Sequence, residues 1–223
     1  MIISGLLLVL DAAVTLVWQE PLTAVVALIR RSQVDTRLLS LRSAPLTRAD
    51  QHALVMLPNP GQRLAYLARR EQRQARVGDA IGRLVIARIH ASYNVVQGDD
   101  DTSLQKGPGH YPQTAFPGLG ATVAIAGHRT TYLAPFRHLD ALEPGDPIVL
   151  QMPYGRFTYI VQFRRIVAPT ALWVIRNVGY ERLVLSACNP LYSAAQRIIV
   201  FARLRSVTPT IQAGEPRPGG QPR

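Results

Sequence analysis

Three residues that lie far apart in the chain have side chains that together could carry out acyl transfer. Cys188 is the only cysteine, and it follows an apolar run that ends in Ser186 and Ala187. A thiolate attacks carbonyl carbon well, but a free thiol has a pKa of roughly 8.5 and needs a partner that takes its proton. His128 could take that proton and later return it to a leaving amine. Arg197 could stabilise the negative charge of a tetrahedral intermediate, because a guanidinium stays charged and donates from a fixed fork.

Each of these residues also has an ordinary structural interpretation. A lone cysteine is most often a small buried hydrophobe. A histidine after a strand is most often a turn residue, and an arginine that enters a strand is most often a surface charge. Catalysis therefore requires a fold that brings the three side chains together, which sequence spacing alone does not establish.

The elements that would position them are short strands. From residue 82 onward, apolar or alternating runs are separated by turn residues, and Phe157, Tyr159 and Val161 alternate as a half-buried strand should. Many short strands in about 125 residues indicate a small closed barrel or sandwich. Because a strand end is rigid, it can aim a reactive side chain. The predicted strands are 83–89, 93–97, 121–126, 147–152, 157–167, 182–187 and 198–204, with short helices at 102–105 and 135–141.

Several short motifs follow one another between residues 82 and 204. They read LQKGPGHYP (104–112), AIAGHRTTY (124–132), APF (134–136), LEPGD (142–146), MPYG (152–155) and LVLSACNPLYSAAQRIIVFA (183–202). In these motifs and their order the chain resembles the sortases, membrane-anchored cysteine transpeptidases of Gram-positive surfaces. The class E group of high-GC bacteria is the most similar.

The resemblance implies an all-β fold, a closed eight-stranded sortase-type β-barrel with short helices. It implies that His128 is the catalytic histidine, Cys188 the nucleophile and Arg197 the catalytic arginine. The expected substrate is a surface protein with an LPxTG-like sorting signal, LAxTG in class E, which is cleaved between Thr and Gly through a thioester. An amine of a peptidoglycan precursor or a pilin would then resolve the thioester, with no cofactor and no metal.

The resemblance also implies roles for residues around the catalytic three. Thr130, Thr131 and Tyr132 follow the histidine and are predicted, together with Ala187, to line the substrate groove. Ala187 stands where many sortases have threonine, so that a hydroxyl is missing from the site. Asn189 stands where many class E relatives have histidine, and we expect it to alter the rim of the pocket and not the chemistry.

Two further groups of residues have structural interpretations. His110 lies in the GPGHYP stretch, and the resemblance implies a structural role for it. Residues 99–101 are three consecutive aspartates. They lack the spacing of an EF-hand loop, which favours a solvated turn over a calcium site.

The N-terminal part predicts attachment to a membrane. Residues 2–18 are apolar with Asp11 as the only charge, and their length is near the lower limit for crossing ~30 Å of hydrocarbon. We predict a single transmembrane helix as the anchor within residues 1–29, with a buried helix of a soluble domain as the alternative. Residues 30–80 are predicted as a basic juxtamembrane stalk. Its helix at 62–77 rests either on anionic head groups or in solvent.

The remaining divisions follow from the resemblance for the barrel and from composition for the tail. Residues 81–206 are predicted as the catalytic barrel. The Pro- and Gly-rich segment 207–223 has little to bury and is predicted to be disordered.

The charge distribution conflicts with the expected topology. Between residues 30 and 76 there are ten arginines and three acidic residues. The positive-inside rule would keep this side in the cytoplasm. The resemblance instead implies a single-pass membrane protein with an extracytoplasmic barrel. A start further upstream, with a basic cytoplasmic tail, would reconcile the two.

Composition limits the remaining classes of function. The net charge of +11 favours an anionic partner, but no nucleic-acid recognition motif is present. A single cysteine excludes an internal disulfide framework and a cysteine-based zinc cage. Two alternatives stay open: a catalytically silent barrel that binds sorting signals, and a different cell-wall cysteine transpeptidase. The usual Ser-His-Gly-Cys-type signature of the L,D-transpeptidases is not matched by Ser-Ala-Cys-Asn at 186–189.

Overall fold

The computed structural model describes residues 46–210, in which eight strands follow two helices. The longer helices are α1 (Arg48–Met56) and α2 (Pro60–Gln74), and α3 (Asp101–Leu104) is a single turn. Short 3-10 turns lie at Ala87–Ile89, Leu139–Ala141 and Leu172–Ile175. The strands are β1 (Ala80–Ile86), β2 (Ala91–Gln97), β3 (Gly109–His110), β4 (Thr122–Ala126), β5 (Pro147–Met152), β6 (Gly155–Val167), β7 (Arg182–Asn189) and β8 (Gln196–Pro209).

The strands close into one barrel in the order β1-β2-β3-β4-β7-β8-β6-β5. The pairs β2–β3 and β4–β7 are parallel, and the other pairs are antiparallel, so the barrel is mixed. The predicted closed eight-stranded barrel is confirmed. Seven of its strands overlap the predicted runs, and β3 was not predicted.

The interior of the barrel follows from the alternation of side chains along the strands. On β7, Leu183, Leu185 and Ala187 belong to the main hydrophobic core, while Val184 packs in a second cluster on the outer face. Since successive side chains of a strand point to opposite faces, Cys188 lies on the outer face of the barrel wall. The fold therefore presents the predicted nucleophile outward from a strand whose other face is anchored in the core.

Helices α1 and α2 pack on the barrel through one apolar side. Leu54 on α1 and Leu67 on α2 are buried in the same core cluster as the barrel strands. Asp50 joins the two helices, because it forms an ion pair with Arg70 at 3.0 Å and accepts a hydrogen bond from the Tyr66 hydroxyl at 2.9 Å. The helix predicted within the stalk is thus present as α2, and its apolar side contacts the barrel.

Parts of the sequence predictions fall at or beyond the ends of the described chain. The proposed anchor at 1–29 lies outside the described residues, and so do residues 30–45 and 211–223. Within residues 46–210, no helix combines the length and the hydropathy needed to cross a bilayer. Strand β8 continues to Pro209, three residues into the segment predicted as the tail.

Candidate active site

The antiparallel pairing of β7 with β8 brings Cys188 next to Arg197. The two residues are direct cross-strand partners in the ladder. Directly opposite residues of an antiparallel pair have Cβ atoms about 5 Å apart on the same face. Cys188 is half-buried, so the thiol is held by the strand yet is reachable from solvent.

The parallel pairing of β4 with β7 brings His128 to the same end of the barrel wall. The last registered pair is Ala126 with Ser186. The Gly127 amide then donates to the Ser186 carbonyl at 3.0 Å and extends the pairing by one residue. His128 and Cys188 each lie two residues beyond that last pair. The three residues predicted to be catalytic therefore meet at one end of β4, β7 and β8.

Burial controls the protonation of His128. Its Nε2 atom is buried and has no hydrogen-bond partner within residues 46–210. Burial lowers the pKa of His128 below its usual 6.5, and the negative charge of Asp101 partly opposes this. The neutral imidazole is favoured, which is the form that can accept a proton from a thiol. A buried polar atom without a partner is uncommon and fits a site where reacting groups supply that partner.

The Arg197 guanidinium is oriented by its own chain. Its Nη1 atom donates to the carbonyls of Ala194 and Gln196, each at 2.9 Å. Across the described part of the chain, its hydrogen bonds use Nη1 alone. The Nε and Nη2 donors are left for a negatively charged group.

The loop after His128 has an unusual backbone. Tyr132, Leu133 and Ala134 have φ angles of 50°, 65° and 41°, a left-handed conformation that disfavours side chains with a Cβ. The Tyr93 hydroxyl donates to the Leu133 carbonyl at 3.2 Å and helps to hold the loop. The loop places the Tyr132 ring 5.2 Å from the His128 ring, between centroids. Strained backbone of this kind concentrates at functional sites.

The predicted groove residues are divided between two sides of the wall. Thr130 and Thr131 are half-buried in the same loop as Tyr132. Ala187 is not with them, because its methyl group is buried in the barrel core. Its neighbour Cys188 points the other way, so Ala187 lies behind the nucleophile and does not line the groove.

Sequence reasoning gave no role to Arg129, which the structure buries beside the site. Its guanidinium reaches the end of β7, where it donates to the Cys188 carbonyl at 3.4 Å and to Asn189 Oδ1 at 3.1 Å. The one signal in the sequence is a charged residue directly after the histidine in a largely uncharged stretch.

The consecutive aspartates form a helix start. Asp100 is the N-cap of α3 and accepts a hydrogen bond from the Ser103 amide at 3.1 Å. No cluster of three or more histidine, cysteine and carboxylate side chains in the described ranges could hold a metal ion.

Comparison with known proteins places this arrangement in a family. The family model of the sortase domain matches residues 84–205, which is more than half of the chain. The chain belongs to the sortase family. It is 34% identical over 131 residues to sortase D of Bacillus subtilis, which covers 56% of this chain and 64% of that protein. It is 32% identical over 110 residues to sortase SrtE1 of Streptomyces coelicolor, which covers 43% of this chain and 31% of that protein. The chain thus spans less than two thirds of the length of either relative.

Solved sortase structures share the barrel. Sortase E1 of Streptomyces coelicolor, determined with a tripeptide in the active site, superposes with a TM-score of 0.58 at 27% identity and covers 64% of this chain and 98% of that chain. Sortase E of Streptomyces avermitilis gives a TM-score of 0.56 at 33% identity, with 64% and 97% covered. The predicted resemblance to sortases is confirmed, and these relatives belong to classes D and E.

Proposed function

We propose that this member of the sortase family is a membrane-anchored cysteine transpeptidase. It cleaves an LPxTG-like sorting signal, in the class E form LAxTG, between threonine and glycine, and it transfers the threonine carbonyl to an amine. The observation that carries the proposal is the convergence of His128, Cys188 and Arg197 at one end of β4, β7 and β8.

The first half of the proposed reaction forms a thioester. The neutral His128 imidazole takes the proton of the Cys188 thiol, and the thiolate attacks the threonine carbonyl carbon. The carbonyl oxygen becomes an oxyanion, which Arg197 stabilises with the donors that its strand leaves unused. The tetrahedral intermediate then collapses with cleavage of the Thr–Gly bond, and the imidazolium gives its proton to the departing glycine amine.

The second half returns the enzyme to its starting state. An acceptor amine attacks the thioester carbonyl, and His128 takes a proton from that amine as the new amide bond forms. The sulfur leaves as a thiolate and regains the proton from the imidazolium. The acceptor that we propose is an amine of a peptidoglycan precursor or of a pilin.

Substrate binding is proposed along the loop after His128. Thr130, Thr131 and Tyr132 border the outward side of the wall on which Cys188 lies. The tripeptide in the active site of sortase E1 from Streptomyces coelicolor supports an extended peptide as the ligand class. Ala187 is left out of this set because it faces the core.

Location and domain limits are also part of the proposal. Residues 1–29 serve as a single membrane anchor, supported by the apolar run at 2–18, and the barrel lies outside the cytoplasm. The catalytic barrel predicted at 81–206 extends slightly beyond both bounds, because β1 begins at Ala80 and β8 ends at Pro209. Helices α1 and α2 pack on its core, so that the segment 48–74 forms part of the same folded unit.

The test is mass spectrometry of the full chain in a mild detergent, incubated with an LAxTG or an LPxTG peptide, with and without hydroxylamine. We expect a thioester adduct on Cys188 that hydroxylamine discharges to a hydroxamate. Cys188→Ala should form no adduct, and His128→Ala and Arg197→Ala should slow its formation by about 100-fold or more. Arg203→Ala is the matched control for Arg197→Ala, because Arg203 is an exposed arginine that also lies on β8.

Other outcomes would contradict the proposal. Near-normal turnover by Cys188→Ala would exclude Cys188 as the nucleophile. A wild-type chain that forms no adduct, and whose Cys188 is inert to mild thiol reagents, would indicate a silent binding barrel. Acylation by a carbapenem, without reaction with either peptide, would indicate a peptidoglycan-stem transpeptidase.

A further inference from the structure

Arg129 connects three segments of the active site through one buried guanidinium. Only 3% of its surface is exposed, although it directly follows His128 in the chain. Nε donates to the Arg137 carbonyl at 3.2 Å, and Nη2 forms an ion pair with Asp140 at 2.9 Å. Nη1 donates to the carbonyl of Cys188 at 3.4 Å. The loop that carries the histidine, the 3-10 turn at Leu139–Ala141 and the end of β7 thus share one cation.

Asn189 extends this network to the third catalytic strand. Its Oδ1 accepts from Arg129 Nη1 at 3.1 Å, and its Nδ2 donates to Gln196 Oε1 at 3.1 Å. Gln196 precedes Arg197 and is the cross-strand partner of Asn189. A side chain that accepts and donates at the same time is needed at this position, and the asparagine amide does both.

The catalytic side chains themselves are not joined in this way. In the described part of the chain, the Nε2 atom of His128 has no hydrogen-bond partner, and the Arg197 guanidinium donates only to carbonyls of residues 194 and 196. The relative positions of the three groups therefore depend on the backbone segments that carry them. Those segments are the ones that Arg129 and Asn189 connect.

We infer that Arg129 and Asn189 act as a positioning pair that holds His128, Cys188 and Arg197 in their reactive arrangement. The inference rests on the proposed transpeptidase function. Misplacing a reacting group by about 1 Å can cost on the order of 100-fold in rate, so a network that fixes three strand ends acts on catalysis without touching the substrate. It also explains why a buried charge is retained, since burying a guanidinium is costly unless it is paired and fully hydrogen-bonded.

The choice of arginine follows from the geometry. The planar guanidinium presents donors in several fixed directions and serves four acceptors here. A lysine ammonium is a compact charge on a flexible stem and cannot reproduce that fork. Arg129→Lys therefore keeps the positive charge and removes the planar set of donors. Asn189→Asp keeps the acceptor that faces Arg129.

The test compares Asn189→Leu, Asn189→Asp and Arg129→Lys with wild type in the full chain. Turnover of the LAxTG peptide with hydroxylamine as the acceptor amine gives kcat and KM, and the rate of Cys188 alkylation by iodoacetamide is followed against pH. We expect Asn189→Leu and Arg129→Lys to lower kcat by about 10-fold or more while KM changes less than about 2-fold, and to shift the alkylation profile. Asn189→Asp keeps the acceptor for Arg129 but loses the donor to Gln196, so it should recover only part of the activity. The control is Arg88→Gln, which removes an exposed ion pair with Glu143 and should leave both readouts unchanged.

The outcomes separate the inference from the proposed function. If wild type forms the thioester and Asn189→Leu keeps its kcat and alkylation profile, the inference alone is wrong. A loss of kcat that disappears after correction for the folded fraction also overturns it. If wild type forms no thioester but Asn189→Leu and Arg129→Lys both shift the alkylation profile, the positioning pair is supported and the proposed function fails.

Discussion

Acidification is expected to destabilise this barrel through one buried imidazole, that of His110. The ring is 1% exposed on β3. Its Nδ1 lies 2.9 Å from Gln97 Oε1, its Nε2 lies 3.1 Å from both Thr114 Oγ1 and the Ala115 carbonyl oxygen, and its edge packs against Phe116 at 5.0 Å between centroids. Burial favours the neutral ring, and the hydrogen bond to the Ala115 carbonyl partly opposes this by raising the pKa of His110. Burial lowers the pKa of His110 from 6.5 to about 4.

The size of the effect follows from that shift. Each pKa unit corresponds to about 1.4 kcal/mol, so the interval from 6.5 to about 4 amounts to about 3 kcal/mol of unfolding free energy. Because the folded pKa lies below the unfolded one, this stability is fully present above pH 6.5. It is lost progressively as the pH falls from 6.5 to about 4.

The assay is urea unfolding of wild type and of His110→Gln between pH 7.5 and pH 5, where most carboxylates stay ionised. Below pH 6.5, wild type should lose about 1.4 kcal/mol per pH unit from this residue, and His110→Gln should lack that part of the slope. Because the pKa of His128 is also lowered, His128→Gln is measured as the control for its contribution. If His110→Gln retains the full wild-type slope, the assignment of acid sensitivity to His110 is wrong.

Two further predictions concern the chain around His128. Leu133→Gly should raise the unfolding free energy by about 0.5–1 kcal/mol, because leucine at φ 65° is strained and glycine is not. Thermal denaturation measures the change, and Leu172→Gly, at an exposed residue outside the left-handed region, should instead destabilise. An unchanged or lower melting temperature for Leu133→Gly would contradict the strain argument. Gly127→Ala should cost about 1–3 kcal/mol and slow thioester formation, since its Cβ would lie 2.5 Å from the buried Phe136 ring. The double variant Gly127→Ala/Phe136→Leu should recover part of both losses, and equal defects in the single and double variants would argue against that clash.

Alternation of side chains was sufficient to predict most strands. The run at 147–152 has the bounds observed for β5, and the run at 157–167 falls within β6. Strand β3 has two residues, which is too short for any periodicity to show. The helix predicted at 135–141 is wrong, because only the 3-10 turn Leu139–Ala141 forms there. The Phe136 amide donates to the His128 carbonyl at 2.9 Å and fixes the preceding chain as a loop.

Residues of the site also differ in whether a local sequence pattern or a distant contact determines their place. The convergence of His128, Cys188 and Arg197 was predictable because each stands at the end of a recognisable strand within a family motif. Ala187 was predicted on the wrong side of the wall, since a shift of one residue along a strand reverses the face. The role of Arg129 depends on partners 8 to 60 residues away in the chain, and no local pattern in the sequence identifies them.

The packing of α1 and α2 on the barrel also limits the distance between the barrel and the proposed membrane anchor. Leu46 already contacts the core, so the chain is docked from its first described residue onward. With an anchor proposed to end at residue 29, sixteen residues separate it from the first described residue. At about 3.5 Å per residue they extend no further than ~55 Å. Under the proposed anchoring, this separation confines Cys188 to a layer next to the bilayer, and the proposed sorting signal must be presented within that layer.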